Sequence, residues 1–280
     1  MSNTIFENML SRYEIKTKED RTNANHEVMQ QIALAGLYRG GFFDKAAFYG
    51  GTCLRIFYSM QRFSEDMDFS LLQADNSFRL ENYFEAILSE FQAIGRDITI
   101  IKKEKNIQTN VESAFLKENT EVYNLSFSTE KQIKIKIEVD TQPPAGFATD
   151  YKLLLLPFSL MVRCYTLPDL FAGKMHAFLF RNWKTRVKGR DWYDFEWYVR
   201  NHIALNFNHL QKRTTLISGL SEQNFVPEVF QKMLKERIEK TNIEMVKNDV
   251  RPFLKNPSEM DIWSTEYFLQ LVEMVKFVKY

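Results

Sequence analysis

The chain has 280 residues, a formal net charge of +1, 45% hydrophobic and 26% charged residues. That length can bury a substantial core, as one large domain or two modest ones, and the composition is that of an ordinary globular protein. A net charge near zero excludes an overall basic field for indiscriminate nucleic-acid binding, so any such role must rest on a local patch. Two cysteines, Cys53 and Cys164, have no metal-ligand spacing and make no disulfide framework, which suits a reducing compartment. The first residues show no basic stretch followed by an apolar one, so no secretory signal is expected. The longest apolar run, from Leu153, is too short for a membrane span and is broken by Pro157. The expectation is a cytoplasmic protein with no membrane partner. The 24 Phe, 12 Tyr and 4 Trp read mainly as core.

In chain order, the segment from Asn25 carries Val28, Ile32, Leu34 and Leu37 at close to helical period and stops at Gly40 and Gly41. "KAAFYGG" reads as a short strand, and Thr52 to Met60 as a helix. "RFSEDMDFSLL" follows as a strand, with Met67, Phe69 and Leu71 alternating against Asp66, Asp68 and Ser70. A helix is expected over "SFRLENYFEAILSEFQAIG", with Leu80, Phe84, Ile87, Leu88 and Phe91 in one stripe and Gly95 at its end. Three strands come next, "DITIIKK", "EVYNLSFST" and "KQIKIKIEVDT". The last sets Ile133, Ile135, Ile137 and Val139 on one face and Lys134, Lys136, Glu138 and Asp140 on the other. "TQPP" closes the sheet region, because prolines cannot continue a ladder. After one more strand near "FSLMVRCY" the pattern is helical: Pro168 to Arg181, Asp191 to Asn201, and several segments beyond Asn208. The fold class expected is α+β, a mixed sheet flanked by helices over 1–165 followed by an all-helical region over 166–280.

Asp66 and Asp68, two apart on a strand, project from one face within a few ångströms of each other. Like charges so close repel unless a cation sits between them, and Mg²⁺ or Mn²⁺ suits carboxylate oxygens. Alone, D-x-D is a weak signal, equally the solvated face of an edge strand. Glu138 and Asp140 share a face on a second strand. If the two strands lie side by side, three or four carboxylates converge, as a two-metal phosphoryl or nucleotidyl transfer site requires. Gly50 and Gly51, between strand and helix, would let a phosphate approach backbone N–H groups at a helix N-terminus. Thr52 could add a hydroxyl to that cradle or cap the helix.

Farther on, Lys174 lies in the stripe of Leu170, Phe171, Met175 and Phe178, as a snorkelling side chain or as an ammonium for phosphate. His176 reads as a packing residue. Arg181, Lys184, Arg186, Lys188 and Arg190 precede the first acid, Asp191, with Trp183 as a stacking surface; they form either a solvated loop or a phosphate-contacting rim. Asp194 is one turn beyond Asp191, and either could cap the next helix.

"YGGTCLRIFYS…RFSEDMDFSLL" resembles the first motif of the DNA polymerase β-like nucleotidyltransferase superfamily. Together with "KIKIEVDTQPP", "AGKMHAFLFR" and "KGRDWYDFEWYV" it resembles, over Phe48 to Val199, the AbiEii/AbiGii toxin family of bacterial toxin–antitoxin and phage-defence systems. The resemblance implies a nucleotidyltransferase-like sheet and a metal-dependent transfer in which an acceptor hydroxyl attacks the α-phosphorus of an NTP and pyrophosphate leaves. Asp66 and Asp68, with Glu138 or Asp140, would hold Mg²⁺ or Mn²⁺. Gly50, Gly51, Thr52 and Ser64 would cradle the phosphates, and Lys174 would stabilise the triphosphate. The aspartate of "KGRD" is functional in the family, which marks Asp191 as a base or a positioner. Between Glu138 and Asp140, "IEV" fits the superfamily pattern better. By the same analogy the acceptor is tRNA or another RNA, and a cognate antitoxin is the partner. Two rival readings are a D-x-D glycosyltransferase and a non-catalytic nucleotide- or partner-binding module on the same fold.

Overall fold

A computed structural model describes residues 4–102, 120–127, 134–181 and 187–278. Ile133, Trp183, Lys184 and Arg186 of the expectations above lie outside the described residues. Two compact units are formed: one by 1–59, 64–143 and 149–164, the other by 60–63, 144–148 and 165–280. No helix among the described residues is long and apolar enough to cross a membrane.

The first unit is built on a seven-stranded mixed sheet, in the order β3-β4-β5-β2-β1-β7-β6. Its strands are β1 (Ala46–Tyr49), β2 (Asp66–Leu71), β3 (Ile98–Lys102), β4 (Thr120–Phe127), β5 (Lys134–Asp140), β6 (Thr149–Leu154) and β7 (Leu160–Tyr165). Helices α1 (Ile5–Leu10), α2 (Lys18–Arg39), α3 (Gly50–Phe57) and α4 (Phe84–Ala93) accompany it. The period-two pattern decides which face is inside: Met67, Phe69, Ile135, Ile137 and Val139 are fully buried. Phe69 stacks on Phe48 at 4.9 Å between ring centroids and meets Phe42 edge-on at 5.0 Å.

Several expectations need correction. Helix α2 starts at Lys18, well before Asn25, because Thr17 and Asp20 form a capping box that pulls the polar stretch ahead of the apolar stripe into the helix. Helix α3 starts on Gly50 itself and ends at Phe57, not Thr52 to Met60. The helix expected from Ser77 has Leu80–Tyr83 as a 3₁₀ turn before α4. Nor does "TQPP" close the sheet. Beyond it β7 pairs parallel with β1 at Phe48↔Cys164, and β6 adds an edge strand that the sequence reading missed. Its apolar residues point the unexpected way, with Tyr151 48% and Leu153 57% exposed, so no buried alternation marks it.

The second unit is helical: α5 (Leu167–Phe180), α6 (Gly189–Arg200), α7 (Phe207–Ser218), α8 (Pro227–Glu239), α9 (Ile243–Val250) and α10 (Thr265–Glu273). Helix α6 is its axis, buried on every side from Asp191 to Val199. Tyr198 stacks on Phe171 of α5 at 4.4 Å, and Trp192 meets Phe268 of α10 edge-on at 4.8 Å. Gly189 is required by close approach: a methyl group there would collide with the backbone of α9 at Val246 and Val250.

Candidate active site

Strands β2 and β5 run parallel in the register Asp66↔Lys136, Asp68↔Glu138 and Ser70↔Asp140. Residues opposite one another in a sheet share a face, so Asp66, Asp68, Lys136, Glu138 and Asp140 all project away from the core formed by Met67, Phe69, Ile137 and Val139. Asp66, Asp68 and Glu138 are half-buried. Lys136 stands on this face too, and its ammonium is ion-paired with Glu138. Burial works against that ammonium, but Glu138, Asp66 and Asp68 outweigh it and raise its pKa. Asp140, one step farther along, accepts a hydrogen bond from the Gln142 backbone N–H at 3.0 Å, which ties it to the turn after β5.

Next to these carboxylates begins α3. Tyr49 ends β1 opposite Asp68 and is the N-cap residue, and its side chain makes no capping bond. The first amides of an α-helix have no partner within the helix, so this turn offers N–H groups to an anion. Gly50 has φ +82°, and a methyl group there would collide with the Asp68 carboxylate. Glycine is therefore needed both for the backbone and for the acid beside it. The Thr52 side chain is fully buried and its hydroxyl donates to the Asp66 carbonyl, so it neither caps the helix nor faces a cradle. It fixes the start of β2 against α3 instead. Ser64 offers its carbonyl to Gln30 Nε2 at 3.0 Å, and the same amide donates to the Glu65 carbonyl at 3.0 Å. Gln30, fully buried on α2, thus straps the residues that lead into the D-x-D strand. Nothing in the sequence marks it, because a glutamine in a helix gives no periodic signal.

Within the helical unit, Lys174 of α5 donates to Asp191 at 2.7 Å and pairs with Asp194 at 2.8 Å. Arg62 grips Asp194 with two bonds of 2.5 and 2.6 Å. Lys174 is therefore neither snorkelling nor solvated: it sits in a four-membered ion network. Asp191 and Asp194 cap nothing, the N-cap position of α6 being Lys188. His176 packs against Phe180 at 5.0 Å, and burial pushes its pKa well down. The sequence reading missed Arg62, since the "RFSED" arginine gives no sign of which acid it will meet.

Burial alone would raise the Asp191 carboxyl, but Lys174, with Arg181 and Lys188 behind it, holds it at about 2. Asp194 is also held low: burial opposes ionisation, and Arg62 and Lys174 outweigh it. A carboxyl depressed in the folded state stabilises the fold above its unfolded pKa, and that stability is lost as pH falls through the folded value. Acid titration of unfolding is therefore expected to show a contribution from Asp191 on the order of 2 kcal/mol, complete above about pH 5 and lost between about pH 4 and 2. In Asp191→Asn that segment of the stability–pH curve should flatten; an unchanged slope would contradict the assignment.

Among the described residues, no group of three or more His, Cys, Asp or Glu side chains is placed to hold a metal ion. The donor set still suits a hard divalent cation: Asp66, Asp68 and Glu138 supply oxygens only, on one sheet face, and a cation, Lys136, already stands among them.

A family model described as "Nucleotidyl transferase AbiEii toxin, Type IV TA system" matches residues 32–277. The chain belongs to the AbiEii family. This AbiEii chain is similar in fold to JHP933 from Helicobacter pylori, with a TM-score of 0.51 and 17% identity over 90% of this chain and 89% of that one. A candidate nucleotidyltransferase from H. pylori aligns at a TM-score of 0.44 and 16% identity, covering 89% and 91% of the two chains. No curated protein matches by sequence. The matched span covers β1 to β7 and α5 to α10, so Asp66, Asp68, Lys136, Glu138, Lys174 and Asp191 all lie inside the AbiEii region.

Proposed function

We propose that this AbiEii-family chain is a nucleotidyltransferase that moves a nucleoside monophosphate from an NTP to a hydroxyl of an RNA acceptor, tRNA foremost, with attack at the α-phosphorus and release of pyrophosphate. As a toxin it would work in the cytoplasm and be held in check by a cognate antitoxin. The observation that carries the reading is the parallel register of β2 and β5, which sets Asp68 opposite Glu138 with Asp66 on the same face, beside the opening turn of α3.

In this reading Asp66, Asp68 and Glu138 hold Mg²⁺ or Mn²⁺, and Glu138 is preferred to Asp140, whose carboxylate serves its own turn. A divalent cation bound there supplies positive charge to the phosphates and draws electrons from the α-phosphorus. The chain itself does the rest. Gly50 and Gly51 leave the first amides of α3 open to a phosphate, and Thr52 holds Asp66 in place through its carbonyl. Ser64, half-exposed just ahead of Asp66, keeps its hydroxyl for the same phosphates, while Gln30 holds its carbonyl. Lys136 offsets one negative charge of the acidic face before substrate arrives and yields Glu138 when a cation enters. Lys174 and Asp191 are assigned to the reaction by their place in the family motifs. Lys174 brings charge for the triphosphate, and Asp191, ionised down to about pH 2, is too weak a base to take the acceptor's proton and instead orients Lys174.

The rival reading, a module that binds without catalysis, has one point in its favour: Lys136 already offsets part of the negative charge of the acidic face without a metal. The two part in one assay. The full chain is incubated with each α-³²P-labelled NTP, Mg²⁺ and total RNA. Label on RNA with at least one nucleotide, lost on adding a chelator, is the expected result; no label with any of the four would overturn the transferase reading.

A further inference from the structure

Strand β6 ends the sheet, with β7 on one side and no strand on the other. The Thr166 N–H donates to the Ala148 carbonyl at 3.1 Å, so Ala148 turns its carbonyl toward the β7 side. Carbonyls alternate sides along a strand. Thr149, Tyr151 and Leu153 therefore turn their N–H and C=O groups outward, and among the described residues no backbone bond joins them to another element. The edge is also apolar: Tyr151 is 48% exposed, Leu153 and Leu155 57%, and Met161 of β7 41%. Open apolar edges are normally blunted by a charge, because they template pairing with another strand. Lys152, the residue placed to do so, is held elsewhere: its ammonium pairs with Asp150 at 2.8 Å and lies 5.0 Å from the centre of the Tyr58 ring.

We propose that this edge is a homodimer interface, in which β6 of a second copy of the chain pairs antiparallel with β6 about a twofold axis at Tyr151. The charges select that register. With Tyr151 opposite its own counterpart, Asp150 stands across from Lys152 of the second copy and Lys152 across from Asp150, whereas an axis at Asp150 or at Lys152 would set like charges face to face. Asp150 supplies a second reason. Its Oδ1 atom is shielded from solvent and has no hydrogen-bond partner, so an ammonium arriving from across the axis satisfies it. The outward N–H and C=O groups of Thr149, Tyr151 and Leu153 then bond to those of Leu153, Tyr151 and Thr149 in the second copy. One patch meets itself, so the assembly closes at two chains. The inference does not depend on the transferase reading, though it bears on the acidic face. Cys164 lies opposite Phe48, which is buried with Phe69, so its neighbour Arg163 stands on the other side of the sheet, the side of Asp66 and Asp68. Tyr151 is on that side too, with the Arg163 guanidinium 4.8 Å from its ring centre. Pairing in the plane of the sheet therefore puts the acidic faces of both copies on one side.

The test is sedimentation velocity of the full chain over a wide range of concentration, with a melting curve on each variant. The wild type is expected to pass from monomer to dimer as concentration rises. Leu153→Pro, which removes an outward N–H at an edge position that tolerates proline, should remain monomeric. Asp150→Lys should raise the dimer dissociation constant by about 10-fold or more, and the charge swap Asp150→Lys/Lys152→Asp should restore it, a recovery that general damage to the strand would not give. A wild type that stays monomeric throughout would overturn the proposal and leave the edge to a strand of another protein. So would a dimer that neither Leu153→Pro nor Asp150→Lys weakens while both melt as the wild type does, since the contact would then lie on another face.

Discussion

Asp68→Asn should lower nucleotide transfer at least about 10³-fold while leaving the fold intact. Cation-borne charge stabilisation is worth several kcal/mol, and each 1.36 kcal/mol is tenfold in rate. Asparagine keeps the size and one oxygen of the side chain, so the charge is lost with little change of shape. The residues that hold β2 in the sheet, Met67 and Phe69, face the opposite side and are untouched. Thermal unfolding should therefore stay within about 0.5 kcal/mol of the wild type, as for other substitutions away from the core. Label transfer and a melting curve on the same preparation check both halves. Near-wild-type transfer would remove Asp68 from the reaction; a large loss of stability would mean that the acid serves the fold.

The largest stability effect is expected from Arg62→Met. Arg62 is 2% exposed, and its two bonds go to a carboxylate with no exposure at all. Removing one partner of a buried pair leaves the other charge uncompensated, at a cost of about 3–5 kcal/mol. For a unit of this size that lowers Tm by about 6–20 °C. Lys174 also contacts Asp194, so the loss should fall toward the lower end of that range. The double variant Arg62→Met/Asp194→Leu removes both charges and should recover much of the loss, because an apolar pair of similar volume is often close to neutral. If the single variant melts within 2 °C of the wild type by calorimetry, the pair is not the brace described here.

The parts of the fold that could be read ahead of the structure were those whose burial alternates cleanly. In β2 and β5 every second residue is a large apolar side chain, and both strands stand where the period places them, with the carboxylates on the opposite face. What a single strand cannot disclose is its neighbour. Parallel pairing of β2 with β5 comes from the sheet as a whole, and only that register puts Glu138, rather than Asp140, across from Asp68. Strand β6 escaped because its outward Tyr151 and Leu153 imitate core residues.

The placement of Asp66 and Asp68 together on one strand face, away from the core, was legible from the period of the strand. The site was not legible where a side chain acts on a distant backbone or an unlike partner. Thr52 reads as a phosphate ligand or a helix cap until its hydroxyl is found on the Asp66 carbonyl. Gln30, Lys136 and Arg62 are ordinary polar residues in sequence; they matter because folding brings them to the Ser64 carbonyl, to Glu138 and to Asp194.

The face shared by β2 and β5 should bind a divalent cation. Titration of the full chain with Mn²⁺, followed by electron paramagnetic resonance of the free ion, addresses it without any substrate. Saturable binding is expected in the wild type, weaker binding in Glu138→Gln, and loss in Asp66→Asn/Asp68→Asn. Wild-type affinity retained in that double variant would contradict it.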